Sequence, residues 1–135
     1  MNTATVADAH LRTPRVHPPD TSVGAARAFF TDGHVHALLL VSDGVLVAVV
    51  ERDDLVGAPD GARARSVGAL AGRVAGPGDE LEATRQAMAA RQQRRLAVVD
   101  PDGRLLGLLC LKRHGGGFCS AADVAAREAD RRAAG

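Results

Sequence analysis

The chain has no tryptophan, no tyrosine and three phenylalanines among 135 residues. Its core must therefore be built from Ala, Val and Leu, and the aromatic anchors that dominate tight protein interfaces are scarce. Cysteine is nearly absent as well. Cys110 and Cys119 are too few for a disulfide framework and are expected as thiols in a reducing compartment. No apolar run approaches the roughly 18 residues of a bilayer crossing, and Met1 to His10 lacks the basic-then-apolar layout of a signal peptide. A cytoplasmic protein without a membrane partner is expected. A net charge of +1 leaves no electrostatic footprint for nucleic acid. The partners to expect are small molecules and proteins.

What the sequence does have is repetition. Displaced by 58 positions, Arg15-Val16 falls on Arg73-Val74, Pro19 on Pro77, Arg27 on Arg85, Leu38 on Leu96 and Val41 on Val99. One further residue of shift aligns Asp43-Gly44 with Asp102-Gly103 and Leu46 with Leu105, with Pro101 as the insertion. An insertion confined to a turn is what a duplicated structural unit tolerates. Each copy is too short to bury a good core alone, so the two must share one, and function is expected at the seam between them.

Each copy reads as a short helix, a short strand, a helix, a hairpin and a closing helix. Thr5 to Asp8 is a capping box expected to start a helix to about Leu11, and Pro14 ends it. Arg15 to His17 is a brief strand. Asp20, Thr21 or Ser22 caps a helix with Val23, Ala26 and Phe30 inward and Gly33 as its stop. Ala37–Val41 and Val45–Val50 are nearly unbroken apolar runs around Ser42-Asp43-Gly44, a hairpin buried on both faces, followed by a short helix near Asp53 to Val56. The second copy gives a helix over 66–71, a strand over 73–75, a helix from Asp79 to about Arg91, and a hairpin of 95–99 and 104–110. This predicts a single module over 1–135: one repeat over 5–56, a linker over 57–65, a second repeat over 66–114, then a Gly-rich hinge and C-terminal helix over 115–135.

Asp20-Thr21-Ser22-Val23, the segment Gln93 to Asp100, and Gly103-Arg104-Leu105-Leu106-Gly107-Leu108-Leu109 carry a family likeness. Together with the doubling, they make the chain resemble the tandem cystathionine-β-synthase (CBS) domain pair, or Bateman module, over about Thr5 to His114. Ala97 stands where the family usually shows proline. The resemblance implies an α/β fold of two βαββα repeats related by a pseudo-twofold, a homodimer, and a non-catalytic sensor that binds an adenosine compound in clefts between repeats and is read by a protein partner. No cofactor is required, and AMP, ATP or S-adenosylmethionine are the ligands to expect.

In the family each cleft is marked by a Thr or Ser at the end of the last strand and, three residues on, an Asp that accepts from the ribose hydroxyls. The first repeat places Glu51 and Asp54 there, the second Cys110 and Arg113. Glu51 disfavours a polyphosphate. The second cleft has lost its ribose carboxylate, or is altered to accept an anion through Arg113 and Lys112. Basic residues before the middle strand fall at His36 and at Arg94 and Arg95. With a nucleotide at Asp54, Arg94 or Arg95 would reach its phosphate while Val16 and Leu38 line the base.

Plainer readings stay open. Asp54 suits a helix cap, Glu51 a solvated strand end, and Arg91, Arg94 and Arg95 a solvated helix end. A degenerate pair acting as a dimeric scaffold without nucleotide is one alternative. A metal or redox sensor built on Cys110, His114 and Cys119 is another, although their spacing matches no common zinc knuckle. No nucleophile, base and oxyanion set is visible, so no catalysis is expected.

Overall fold

The computed structural model describes residues 3–120, and the helix expected beyond Ser120 lies outside them. The first copy contributes β1 (Val16–His17), α1 (Val23–Phe29), β2 (Leu38–Ser42) and β3 (Val45–Val50). The second contributes β4 (Val74–Ala75), α2 (Leu81–Ala90), β5 (Arg95–Val99) and β6 (Leu105–Cys110). Each set forms a three-stranded sheet of the same topology, β1-β2-β3 and β4-β5-β6, with the first pair parallel and the second antiparallel. The duplication extends to irregularities: a bulge between Leu40 and Val41 recurs between Val98 and Val99.

Alternation along the strands divides the apolar runs between two packing layers. Leu38, Leu40, Ala48 and Val50 face α1 in one core, with Val23, Ala26 and Phe30. Leu96, Val98, Leu109 and Leu111 face α2 in a second, with Met88. Leu39, Leu46, Val49 and Ala97 form a third between the sheets. With no large aromatic at this inter-sheet layer, small and branched aliphatics set the sheet spacing. The hairpin tips pair across the pseudo-twofold, where Leu46 N donates to Gly103 O and Leu105 N to Gly44 O, both at 3.0 Å. Asp43 and Gly44 both have positive φ, 50° and 82°, as a two-residue hairpin turn requires.

The opening segments differ from the expected helices. Residues 5–11 supply one 3-10 turn, Val6–Asp8, and then extend so that Leu11 pairs with Leu108 of β6. Residues 66–71 likewise give no helix: a 3-10 turn at Ala64–Ser66 leads to Ala69, which exchanges two 3.0 Å backbone bonds with Val49 of β3. The outer edges of β3 and β6 carry unpaired backbone groups, and covering them outweighs a short helix that no strong propensity supports. The segment expected as a linker also packs: Ala58, Ala62 and Ala64 join the first core.

The residues just ahead of each opening 3-10 turn satisfy a helix N-terminus. Val23 N donates to Ala62 O at 2.8 Å and Gly24 N to Asp60 O at 3.0 Å, while Leu81 N donates to Ala4 O at 3.0 Å. Ser22 caps α1 as expected, accepting from Ala25 N at 3.0 Å. Asp79 was expected to cap α2 but accepts from Gly76 N instead, closing the preceding turn, so α2 starts one residue later behind Glu80. Val6, fully buried, packs in the second core rather than the first. The N-terminal segment thus crosses to the other copy's sheet.

Candidate functional site

Two clefts lie between the sheets, each formed by the end of one copy's last strand and the entrance to the other copy's first. Duplication makes their frameworks equivalent. Two substitutions between the copies, Glu51 against Cys110 and Asp54 against Arg113, make their chemistry opposite.

In the first cleft the Asp54 carboxylate is engaged from both sides. Its Oδ2 accepts from Glu51 N at 2.7 Å, the capping role open to it from sequence. Arg73, at the entrance to β4, donates to Oδ2 at 2.6 Å and to Oδ1 at 3.0 Å. Arg73 also donates to the Val49 carbonyl at 2.7 Å and lies 3.2 Å from Glu51 Oε1. The Arg73 and Asp54 side chains are 17% and 16% exposed, so the pair is largely dry. Hydrogen bonding to Asp54 raises the Arg73 pKa above its ordinary value, with burial opposing and the Glu51 charge adding to it. The expected ribose acceptor is therefore held by a guanidinium of the same chain.

Among the described residues the second cleft is open and cationic. Its inner chamber, about 150 Å³, is bounded by Pro14, Arg15, Phe29, His34, His36, Leu39, Arg95, Leu108 and Cys110 among others. It continues through His34 and His36 into an outer chamber of about 570 Å³ reaching Arg94, Lys112, Arg113 and Cys119. Among the described residues no carboxylate lines either chamber. Arg95 is buried and donates to the His34 carbonyl at 3.2 Å, fixing the chamber's floor, while Arg94 Nε donates to Leu111 O at 3.0 Å. Burial first, then the Arg95, Arg94 and Arg52 charges and His34, pull the His36 pKa down to about 4. His36 is thus neutral at physiological pH, in a field that favours a bound anion.

The expected site residues divide accordingly. His36, Arg94 and Arg95 come together at the second cleft, and His36 and Arg94 also border the mouth of the first beside Glu51. Leu38 is a correction: it is fully buried beneath α1, and its neighbour Leu39 faces the cleft, because successive strand residues point to opposite faces. Val16 stands 46% exposed on the edge strand, one residue past the chamber lining that Arg15 supplies. Cys110, His114 and Cys119 do not form a ligand set. The two thiols are buried, exposed His114 accepts from Gly116 N at 3.0 Å, and no group of three or more His, Cys, Asp or Glu that could hold a metal occurs among the described residues. Among the described residues no helix is long and apolar enough to cross a membrane.

Arg15, Phe29 and Arg73 were not singled out from sequence. The repeat alignment places Arg15 on Arg73, and reading the acid pair of one copy against the Cys and Arg of the other is the signal that separates their roles.

A CBS domain family model matches residues 18–61. A comparison with curated protein sequences finds no match. Among solved structures, CBSX2 in complex with AMP is similar at 25% identity and a TM-score of 0.65, over 83% of this chain and 92% of that one. A CBS domain protein from Pyrobaculum aerophilum complexed with AMP is similar at 18% identity and a TM-score of 0.66, over 90% and 96%. The cytosolic domain of the Mg2+ channel MgtE in complex with ATP shares the fold at 18% identity and a TM-score of 0.64, over 79% of this chain, which spans 46% of that one. The sequence match in the first copy is to a CBS domain, and the two copies together share the fold of solved CBS domain pairs.

Proposed function

We propose that this CBS pair is a non-catalytic regulatory module that binds an adenosine nucleotide in its second cleft. The observation that carries this reading is a chamber between the repeats, lined by no carboxylate among the described residues, that joins apolar walls to converging cations. Leu39, Leu108, Pro14 and Phe29 offer surfaces for a base, and Arg15, His36 and Arg94 surround the path a phosphate would take. Arginine suits that task because its planar fork binds phosphate in a bidentate way. With Arg113 where the ribose carboxylate would stand, affinity comes from phosphate rather than ribose. AMP and ATP are then favoured over adenosine, and cationic S-adenosylmethionine is disfavoured. AMP and ATP in solved complexes of the same fold support this class of ligand. The module works as a homodimer, and filling the cleft shifts how the repeats are set, a change a partner protein reads.

Thermal melts with AMP, ATP, adenosine and S-adenosylmethionine test the reading. A ligand at one hundred times its Kd stabilises the native state by about 2.7 kcal/mol through mass action. Dose-dependent shifts with AMP or ATP, reduced in Arg15→Ala and Arg94→Ala, are expected. A flat response to every nucleotide removes the sensor reading and leaves a dimeric scaffold, which occupation of the first cleft by Arg73 also favours.

A further inference from the structure

The two copies carry the same arginine at the entrance to their first strand, and its fate differs between them. Arg15 is exposed, lies 5.7 Å from the Phe29 ring centroid, and forms no ion pair with a carboxylate among the described residues. Arg73 is drawn inward, where the Asp54 carboxylate, the Val49 carbonyl and Glu51 converge on its guanidinium. The difference follows from the partners: Cys110 and Arg113 stand where the acid pair would hold Arg15.

We propose that the Arg73 guanidinium is the resident occupant of the first cleft, so that this cleft is a guanidinium site filled by the chain itself and the second is the one that admits a free ligand. A planar cation with several donors suits two carboxylates and a carbonyl better than a neutral ribose does, because charge-assisted bidentate bonds are roughly twice as strong as neutral ones. The occupant is tethered at Gly72-Arg73, next to the strand it serves, so a free competitor faces an intramolecular rival at high effective concentration. The same contact joins the end of β3 to the entrance of β4, fastening the repeats on one side and leaving relative movement to the open side. The occupancy stands on this geometry. Only the count of bound nucleotides rests on the proposed function.

The test is chemical rescue of Arg73→Ala. Methylguanidinium at millimolar concentration is expected to raise the melting temperature of Arg73→Ala saturably, to leave the native chain unmoved, and to act at concentrations at least tenfold below those methylammonium needs. Should Arg73→Ala be unfolded alone, recovery of its far-ultraviolet circular dichroism on adding methylguanidinium is the same measurement, with Arg73→Lys as the charged reference lacking the fork. Absence of rescue overturns the proposal. So does calorimetry showing two AMP molecules bound per native chain. One AMP per chain with rescue supports both the occupancy and the nucleotide reading, whereas rescue with no AMP bound keeps the occupancy and removes the nucleotide reading.

Discussion

A single aligned position, Arg15 and Arg73, shows how the same residue acquires different worth from its surroundings. Removing Arg73 leaves two carboxylates and a carbonyl short of their donor in a largely dry cleft. Arg73→Ala is expected to destabilise the fold by about 2 kcal/mol, less than a fully buried pair would cost, while the exposed Arg15→Ala stays within about 0.5 kcal/mol. Urea unfolding of the two variants checks the difference. His36 carries a second residue-scale prediction. Its pKa is about 4 in the fold against 6.5 ordinarily, so between those values the unfolded chain binds the extra proton. The stability that neutral His36 contributes is complete above pH 6.5 and is lost as pH falls toward 4. Native protein should therefore lose more stability over that interval than His36→Gln does. A nucleotide in the second cleft should raise the His36 titration midpoint, followed by NMR of its imidazole. The sequence made His36, Arg94 and Arg95 visible because they precede strands that recur. It hid Leu38's true direction, because a run apolar on both faces has no period to read.

Elements were legible wherever turn chemistry marks them. Asp43-Gly44 and Gly103 fix both hairpins, with Gly44 and Gly103 at φ of 82° and 83°, and the strand ends fall within a residue or so of expectation. The opening segments were misread because a capping box is a local signal, whereas the need to cover the edges of β3 and β6 is tertiary. Thr5 to Asp8 does form its box, yet only one turn follows before the chain extends along β6. Gly107 permits that approach: a Cβ there would stand 2.1 Å from the Leu11 carbonyl and from His10 Nδ1. Backbone cannot yield as a flexible side chain can. Gly107→Ala should therefore lift residues 10–11 from β6 and cost about 2–3 kcal/mol. Hydrogen exchange would show it, with faster exchange at the Leu11 and Leu108 amides, which now bond reciprocally at 2.8 and 3.0 Å.

For the whole molecule, chain order and packing order do not coincide. Residues 3–11 complete the second copy's core through Val6, and residues 58–67 complete the first's through Ala58, Ala62, Ala64 and Val67. A fragment spanning 5–56 carries a segment that belongs elsewhere and lacks the alanines that close its own core. A fragment spanning 12–70 contains every member of the first core, including the Ala62 and Asp60 carbonyls that cap α1. Both fragments expose Leu39, Leu46 and Val49, the face that meets Ala97 in the intact chain. Size alone makes either marginal, since so short a unit buries too small a share of its surface. The expected outcome is that 12–70 melts cooperatively and self-associates through that face, whereas 5–56 shows no cooperative transition at any concentration. Circular dichroism melts at several concentrations, with sedimentation to count subunits, check this. Cooperative folding of 5–56 would mean that the crossing segments decorate the sheets rather than complete their cores, and that the two copies are bound together by their inter-sheet face alone.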